Sequence, residues 1–360
     1  MKFIHTSDWQ LGMPFRNIPE KAEALRQARL DAVKQVIALA EKEGAAFVVA
    51  AGDLFDDNRI APAIVEDTAR ILKSSPVPIY LLPGNHDPLT QDSPYVRCPG
   101  LFTGSAIVLR NETPVTILGG TLYPCPAKSR NSSQDPTSGI PTRTKTDGIR
   151  IGIAHGSVGT PAPNDFPIPA KAAIGKQLDY LALGHWHGVT KIDERTWYCG
   201  APEATAFGQP NAGKALVVDI ASPEALPVVR EVVLGQYHWK ELDRELHSEP
   251  ELHALLEEVK KLANPNVLLR LRLKGNLSQT CLDQIDTINS ERFFHVKIEN
   301  ELQVHNGVHE YRHPLLHEMS ENLMNKANGE DQEQADIARR ALSKLRVLVK
   351  HAGFTGEEKK

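Results

Sequence analysis

Short apolar runs alternate with amphipathic stretches along roughly the first 235 residues of the chain. The runs have the continuous apolar character of strands buried on both faces, and they lie at residues 3–4, 47–51 and 79–82. Between them, apolar residues recur every three or four positions, which predicts helices at 19–43 and about 63–73. This β-α-β-α-β order predicts parallel strands joined by right-handed crossovers, and therefore an α/β fold.

The pattern becomes richer in strands after residue 82. Five further apolar runs are typical of strands, at residues 115–118, 149–153, 180–183, 197–199 and 215–218. A polar segment at 127–148, rich in Ser, Thr and Pro, separates two of these strands and carries the basic residues Lys128, Arg130, Arg143 and Lys145. It is either a solvated insertion or a mobile basic flap over a substrate channel, and the sequence leaves both open.

The character of the sequence changes near Gly235. Beyond it, the pattern predicts two helices and two strands of a small α+β domain, at 250–262, 267–273, 279–288 and 294–298. From Pro314 onward it is helical and amphipathic, notably at 335–349. We therefore expect three segments: a large α/β domain, a small α+β cap and a helical tail that either docks a partner or packs on its own domain, at 1–235, 236–305 and 306–360.

Composition excludes several classes of protein. The 360 residues are 41% hydrophobic and 24% charged, which is ordinary for a globular protein and excludes collagen-like and disordered chains. The net charge of −4 excludes a protein that binds nucleic acid through a basic whole-molecule field. The four cysteines lie far apart and predict neither a disulfide framework nor a zinc–thiolate site. With no apolar leader at the N-terminus and no run long enough to span a membrane, we expect a cytoplasmic protein.

Polar side chains follow five of the predicted strands at their carboxyl ends, where open α/β sheets bind ligands. The five clusters are Asp8-Trp9-Gln10, Gly52-Asp53-Leu54-Phe55-Asp56, Gly84-Asn85-His86-Asp87, His155-Gly156 and Gly184-His185-Trp186-His187. They offer carboxylates, amide oxygens and imidazoles but no thiolate, a set that suits manganese, iron, magnesium or zinc. There are enough ligands for two ions, which together can clamp a phosphoryl group.

Each cluster alone also has an ordinary structural interpretation. Gly84-Asn85-His86-Asp87 is compatible with a capped turn, and the Gly52–Asp56 segment with the start of a helix. A single histidine such as His155 is more often a hydrogen-bonded structural residue than a ligand. The occurrence of all five clusters at strand ends favours one shared metal site over five separate caps.

In motif order and spacing, residues 1–235 resemble the calcineurin-like metallophosphoesterase superfamily. Four segments are most similar to the SbcD-like nucleases, the DNA-repair exonuclease subunits of SbcCD-type complexes: FIHTSDWQLG, AGDLFD, LLPGNHDP and LGHWH. The resemblance implies a calcineurin-like β-sandwich flanked by helices, with a dinuclear metal site at one edge of the sandwich. It also identifies residues 1–235 as the catalytic domain and 236–305 as a capping domain.

The resemblance assigns a role to each matching residue. It implies that Asp53 bridges two metal ions, that Asp8 and His187 hold the first ion, and that Asn85, His155 and His185 hold the second. It implies that His86 is not a ligand but donates a proton to the leaving oxygen. Asp56 occupies the position of the carboxylate that orients this histidine in phosphatases of the superfamily, whereas SbcD-like nucleases often have histidine there.

Gln10 is the larger departure from the family pattern, which has a histidine ligand of the first metal at this position. An amide oxygen still coordinates a hard ion such as manganese or magnesium but holds zinc less well. Either the first site is retuned and weaker, or it is lost and the chain no longer turns over.

Three functions remain compatible with the sequence. The leading hypothesis is a metal-dependent DNA exonuclease or endonuclease that uses two divalent ions, most simply manganese, with an SbcC-like ATPase and as a homodimer. Its expected DNA contacts are the basic segment at 127–148 together with Arg16, Lys21, Arg26 and Arg29. The alternatives are a phosphoesterase for a small substrate, such as a cyclic nucleotide or nucleotide phosphomonoester, and a catalytically impaired scaffold subunit.

Overall fold

The computed structural model describes residues 1–159, 162, 164–285, 288, 290–304 and 313–327, with isolated positions between 329 and 345. These residues form two units. The first comprises Met1–Lys240 and Asn266–Leu268, and the second comprises Glu241–Pro265 and the described residues from Leu269 onward. Most of the tail helix predicted at 335–349 lies outside the described residues.

The first unit contains fourteen strands and four α-helices among its described residues. The helices are α1 (Ala22–Glu43), α2 (Pro62–Lys73), α3 (Pro94–Arg97) and α4 (Ala172–Gly175), with 3₁₀ turns at Pro19–Lys21 and Pro99–Leu101. The strands are β1 (Lys2–Thr6), β2 (Val48–Ala51), β3 (Ile79–Leu82), β4 (Ala106–Val108), β5 (Val115–Ile117), β6 (Gly120–Cys125), β7 (Ile149–His155), β8 (Ser157–Val158), β9 (Pro167–Ile168), β10 (Tyr180–Gly184), β11 (Thr190–Lys191), β12 (Thr196–Tyr198), β13 (Lys214–Asp219) and β14 (Val228–Val233).

Two six-stranded sheets and one short strand pair organise these strands. The first sheet has the order β14-β13-β1-β2-β3-β4, in which β1 to β4 are parallel and β13 and β14 run antiparallel to their neighbours. The second has the order β11-β12-β10-β7-β6-β5, with a parallel centre and antiparallel edges. Strands β8 and β9 form the separate pair.

The strands alternate their side chains between two cores, which makes the sheets a sandwich. In β1, Ile4 packs with residues of α1 and α2, whereas Phe3 packs with Ile151 and Tyr180 of the second sheet. The same alternation recurs in β2, where Val48 faces the helices and Val49 faces the second sheet. A third cluster covers the outer face of the second sheet, where Leu181 and Leu183 pack with residues of α4. The predicted α/β sandwich flanked by helices is confirmed.

The helix α1 ends where the sequence predicts. Gly44 adopts a left-handed conformation with φ of 62°, and its N–H donates to the carbonyl groups of Ala40 and Glu41. The eight strands predicted within residues 1–235 are all present, as β1, β2, β3, β5, β7, β10, β12 and β13, whereas β4, β6, β8, β9, β11 and β14 were not predicted. Strand β6 contains Gly120 and Pro124, which lower strand propensity. In strand β14, Arg230 and Glu231 separate two pairs of valines, so no continuous apolar run marks it.

The polar segment at 127–148 is mostly exposed, as expected of a solvated insertion, but it is also attached to the surrounding structure. Ser132 forms an isolated β-bridge with Asp165, and Thr137 is fully buried. Near the end of the segment, Arg143 pairs with the buried carboxylate of Asp179 at 2.6 Å, and Arg150 donates to the carbonyl oxygen of Pro141. The segment is therefore anchored to the rest of the first unit at several points, and part of its positive charge is used in internal ion pairs.

The second unit is a small α+β structure. Its sheet has the order β15-β16-β17, with β15 (His238–Leu246), β16 (Val267–Leu277) and β17 (His295–Val304); its helices are α5 (Glu249–Leu262), α6 (Gln279–Ile285) and α7 (Pro314–Ala327), with a 3₁₀ turn at Ser290–Arg292. In β16, Leu269, Leu271 and Leu273 are buried, and Arg270 and Arg272 alternate with them, as the sequence predicts. In the described part of the chain, no helix is long and apolar enough to cross a membrane.

Candidate metal centre

The polar clusters meet at one edge of the sandwich, because strands of both sheets end there. Asp8 follows β1, Asp53 follows β2, and His155 is the last residue of β7. Ligand atoms of these three buried side chains all lie within 4.8 Å of one another. This geometry brings two carboxylates and an imidazole, from different sheets, into a group that a single cation can contact.

Asp53 lies at the centre of the contacts. Its Oδ1 accepts the main-chain N–H of His86 at 2.9 Å, and its Oδ2 accepts Nε2 of Gln10 at 2.9 Å. Nε2 of His155 lies 3.4 Å from Oδ2. Burial alone raises the pKa of this carboxyl, but His155 and His86 outweigh burial and hold the pKa at about 2. Asp53 is thus an anionic, pre-oriented ligand at neutral pH.

The side-chain oxygen of Asn85 lies close to two imidazoles of the second sheet. Its Oδ1 lies 2.8 Å from Nε2 of His155 and 3.3 Å from Nδ1 of His185. Nδ1 of His155 donates to the carbonyl oxygen of Ala51 at 2.9 Å, which leaves Nε2 to face the group of candidate ligands. Burial lowers the pKa of His155, but the charge of Asp53 outweighs it and raises the pKa to about 9. A cation bound here would replace the Nε2 proton.

His187 and Asp8 approach each other on the other side of the cluster. Nε2 of His187 lies 3.9 Å from Oδ1 of Asp8. Nδ1 of His187 is 2.9 Å from Oγ1 of Thr205 and 2.7 Å from Nε2 of Gln209, contacts that fix the orientation of the ring. Thr205 and Gln209 were not predicted, since both lie in a loop without hydrophobic periodicity.

The site contains an oxygen atom that lacks a partner. Oε1 of Gln10 is buried and accepts no hydrogen bond from the described residues, while Nε2 of the same amide donates to Asp53. An unpaired buried carbonyl oxygen costs about 1–3 kcal/mol. A hard divalent cation would satisfy this oxygen beside two carboxylates, so the residues present fit the metal site that the sequence predicts.

The backbone is strained at the same positions. Asp8, Gln10 and Asp53 have φ of 52°, 47° and 54°, and His185 has φ of 113°. Non-glycine residues seldom adopt these conformations, and such strain is concentrated at functional sites. Gly84 permits the close approach, because a Cβ there would lie 2.2 Å from Oδ1 of Asp53.

His86 stands at the solvent side of the cluster, with 44% of its side chain exposed. Its Nδ1 donates to the main-chain carbonyl of Asp56 at 2.9 Å. The family resemblance predicted that the carboxylate of Asp56 orients this ring, whereas the structure places the main-chain oxygen there. A carbonyl oxygen only accepts, so the hydrogen bond still fixes a proton on Nδ1 and directs Nε2 away from Asp56.

Arg29 supports the site, and its predicted role as a DNA contact is wrong. It is buried in α1, and its guanidinium donates to the main-chain carbonyls of Asp8, Trp9, Gln10, Glu203 and Ala204. Burial lowers its pKa to about 10. Arg29 therefore ties the loop that carries Asp8 to the loop before Thr205, and its buried guanidinium is not exposed for contact with DNA.

Two further carboxylates hold the site loops. Asp87 accepts the N–H groups of Leu54 and Phe55 at 3.0 and 3.2 Å and that of Gly84 at 2.7 Å, which joins the loops after β2 and β3. Asp165 lies 3.1 Å from Nε2 of His185. This contact directs Nδ1 of His185 towards Asn85, an arrangement common among metal-binding histidines.

Comparison with known proteins identifies the family to which this fold belongs. The family model described as calcineurin-like phosphoesterase matches residues 1–207, more than half of the chain. The chain therefore belongs to the calcineurin-like phosphoesterase family. The Asp8, Asp53 and His155 group is a candidate for the metal site of this family member.

Several individual proteins are similar to this chain at low identity. It is 26% identical over 204 residues to an uncharacterized metallophosphoesterase, YhaO, of Bacillus subtilis, covering 52% of this chain and 48% of that protein. It is 26% identical over 200 residues to the DNA double-strand break repair protein Mre11 of Methanococcus maripaludis, covering 52% of each. A 95-residue match to the Mre11 protein of Archaeoglobus fulgidus is 33% identical and covers 26% of this chain and 20% of that protein. The chain thus spans about half the length of the first two relatives.

Two solved structures are similar at lower identity still. The protein TT1561 of Thermus thermophilus has a TM-score of 0.40 and 14% identity, covering 61% of this chain and 93% of that one. A dimetal phosphatase from Danio rerio has a TM-score of 0.38 and 11% identity, covering 64% of this chain and 98% of that one.

Proposed function

We propose that the protein is a metal-dependent DNA phosphodiesterase, acting as an exonuclease or endonuclease in DNA repair or defence. The observation that carries the proposal is the exposed imidazole of His86 beside a buried group of anionic, amide and imidazole ligands. This arrangement offers an acid on the open side and ligands for two cations on the closed side. The relatives named as DNA double-strand break repair proteins support DNA as the substrate.

In the proposed mechanism, one set of residues holds the metal ions and His86 donates the proton. When bound, two divalent ions supply positive charge that activates water and clamps a phosphoryl group. We assign Asp8, Gln10, Asp53 and His187 to the first ion and Asp53, Asn85, His155 and His185 to the second. Nδ1 of His86 keeps its proton, because it donates a hydrogen bond to the main-chain carbonyl of Asp56. The ring, as an imidazolium, therefore donates the proton on Nε2 to the leaving oxygen. Oδ2 of Asp53 lies 4.0 Å from Nε2, so a negative charge stands close to the ring in that form.

Manganese is the ion we propose, with magnesium next. The amide oxygens of Gln10 and Asn85 and the carboxylates of Asp8 and Asp53 are hard ligands. Zinc and iron gain more from imidazole, and Gln10 removes one imidazole from the first site relative to the family pattern.

The remaining parts of the proposal concern organisation. We propose that residues 1–235 are the catalytic domain, that 236–305 form a capping domain, and that 306–360 include a segment that docks an SbcC-like ATPase. A homodimer is part of the same proposal. The four free cysteines agree with the reducing cytoplasm as its compartment.

A phosphoesterase for a small substrate is the second candidate, and one observation favours it. Of the expected DNA contacts, Arg29 is buried, and Lys128, Arg130 and Arg143 are each paired with a carboxylate. These residues carry less free positive charge than the sequence suggested. A nucleotide phosphomonoester or cyclic nucleotide would need less of that charge than a DNA strand.

A cleavage assay separates the candidates. The full chain with manganese is offered single-stranded DNA, duplex DNA, a cyclic nucleotide and a chromogenic phosphodiester, each at low and moderate salt. We expect DNA cleavage that falls steeply with salt, as for a protein that neutralises several phosphates. Cleavage of the small substrates alone, without that salt dependence, would favour the second candidate.

His86→Ala is the catalytic variant in the same assay. Loss of the proton donor is expected to slow cleavage by about 10²–10⁴-fold. Manganese binding, measured by equilibrium dialysis, is expected to stay unchanged, because His86 is not among the assigned ligands. Equal and slow turnover of wild type and variant on every substrate would instead indicate a catalytically impaired scaffold.

A further inference from the structure

Trp186 is an exposed aromatic residue placed directly between two candidate metal ligands. Its side chain is 55% exposed, whereas Trp9 is buried at 1%. Trp197 lies under the ammonium of Lys191, and Trp239 packs edge-on against Phe207. An indole left open to water at this position calls for a reason beyond packing.

The backbone around Trp186 is fixed on both sides. The N–H of His185 donates to both carboxylate oxygens of Asp8 at 3.1 Å, and His185 has the strained φ of 113°. On the other side, Thr205 and Gln209 hold the ring of His187. The indole itself contacts the imidazole of His185, with centroids 6.1 Å apart and planes at 84°. The residues on both sides of Trp186 are therefore held in place, and the indole rests against the imidazole of His185.

We propose that Trp186 forms a nucleobase-stacking subsite beside the metal centre. This inference rests on the proposed phosphodiesterase function and specifies its substrate: a nucleotide whose base, one sugar away from the reacting phosphate, is unpaired and free to stack. Every nucleobase has a flat π face, so the subsite takes bases with little regard to sequence. A base within an intact duplex is already stacked on its neighbours, so single-stranded or frayed ends are the preferred form.

The test compares a normal strand with an abasic strand. The full chain, loaded with manganese and carrying His86→Ala to prevent cleavage, binds a labelled oligothymidylate or an abasic strand of the same length. Adding Trp186→Ala is expected to weaken binding of the oligothymidylate by about 5- to 150-fold, the usual contribution of one stacked base. Binding of the abasic strand, which keeps the phosphates, is expected to change less than about twofold. Trp186→Phe is expected to restore most of the difference.

Leu118→Ala provides the control, because Leu118 is 92% exposed and its truncation removes a surface apolar group of another region. It is expected to leave both affinities unchanged. Equal weakening of both strands by Trp186→Ala, or no weakening of either, would overturn the subsite. If the wild-type chain binds and cleaves neither DNA nor nucleotides, the proposed function itself fails, an outcome distinct from failure of the subsite. If Trp186→Ala instead weakens only self-association, measured by sedimentation, the indole is a protein contact and the subsite is wrong.

Discussion

Gln10 illustrates how a single side chain can change which cation a site prefers. Its amide nitrogen donates to Asp53 at 2.9 Å, so its buried oxygen is the atom left for a cation. An oxygen ligand suits hard ions, whereas an imidazole nitrogen would hold zinc more tightly. The departure from the family motif was visible in the sequence alone, but the bonded amide nitrogen and the unpaired oxygen required coordinates.

We predict that Gln10→His raises metal affinity without abolishing activity. The imidazole adds a stronger ligand to the first site, so zinc binding is expected to tighten by about tenfold or more and manganese binding by less. Equilibrium dialysis with each ion measures the change. Gln10→Ala, the matched control, is expected to weaken both ions. Lower metal occupancy in Gln10→His than in wild type would mean that Gln10 is not at the site.

Helix α1 contributes to the site as an element, through Arg29. Position 29 is four residues after Leu25 and four before Val33, and all three are buried on the inner face of the helix. The spacing places Arg29 on the apolar face of the helix, which is the feature of the sequence that indicates its burial. The partners of Arg29 could not be predicted, because main-chain carbonyls of separate loops leave no pattern in the sequence.

We predict that Arg29→Ala destabilises the first unit and weakens metal binding together. Removing the guanidinium leaves several main-chain carbonyls buried without a donor, at a cost of about 3–5 kcal/mol. Urea denaturation gives the free energy of unfolding, and dialysis gives manganese affinity. Arg26→Ala is the control on the same helix, since Arg26 pairs with the exposed Glu23, and a change within about 0.5 kcal/mol is expected. Wild-type stability in Arg29→Ala would contradict the role of Arg29.

At the scale of the whole molecule, the pattern of apolar residues predicted the strands and helices of the sandwich more accurately than it predicted the loops. Continuous apolar runs such as β3 have one physical cause, burial on both faces, and they were located correctly. Asp165, Thr205 and Gln209 support the site from loops, where position depends on contacts distant in sequence. Strand β14 was not predicted because Arg230 and Glu231 divide its four valines into two pairs, which leaves no continuous apolar run.

His5 links the stability of the sandwich to pH. It is fully buried, and its ring nitrogens contact the hydroxyl of Tyr180 at 3.0 Å and the carbonyl oxygen of Leu183 at 3.2 Å. Burial lowers its pKa from 6.5 to about 3, while the contact with Leu183 raises it slightly. Between these two values the unfolded chain binds a proton that the folded chain does not. Above pH 6.5 His5 is neutral in both states and costs the folded protein no stability. Below pH 6.5 the free energy of unfolding declines as the pH falls towards the folded pKa.

We predict that His5→Gln flattens the acid dependence of unfolding. In wild type, His5 lowers the free energy of unfolding by about 1.4 kcal/mol for each pH unit below its unfolded pKa. Glutamine does not titrate, so the variant lacks this loss. Urea denaturation between pH 4 and pH 7, with a chelator present, is expected to show a slope smaller by about one proton. His253→Gln is the control, because His253 is 59% exposed. Parallel slopes for His5→Gln and wild type would show that His5 is protonated in the folded state.

The division of the candidate ligands between the two sheets has a consequence for the protein while it is being made. Asp8, Asp53 and Asn85 leave the ribosome early, but His185 and His187 follow β10, and Gln209 comes later still. A nascent fragment that stops before β10 carries acidic and amide groups without the imidazoles that follow that strand. The chain therefore brings the last of its candidate ligands to this edge only near the end of the synthesis of its first unit.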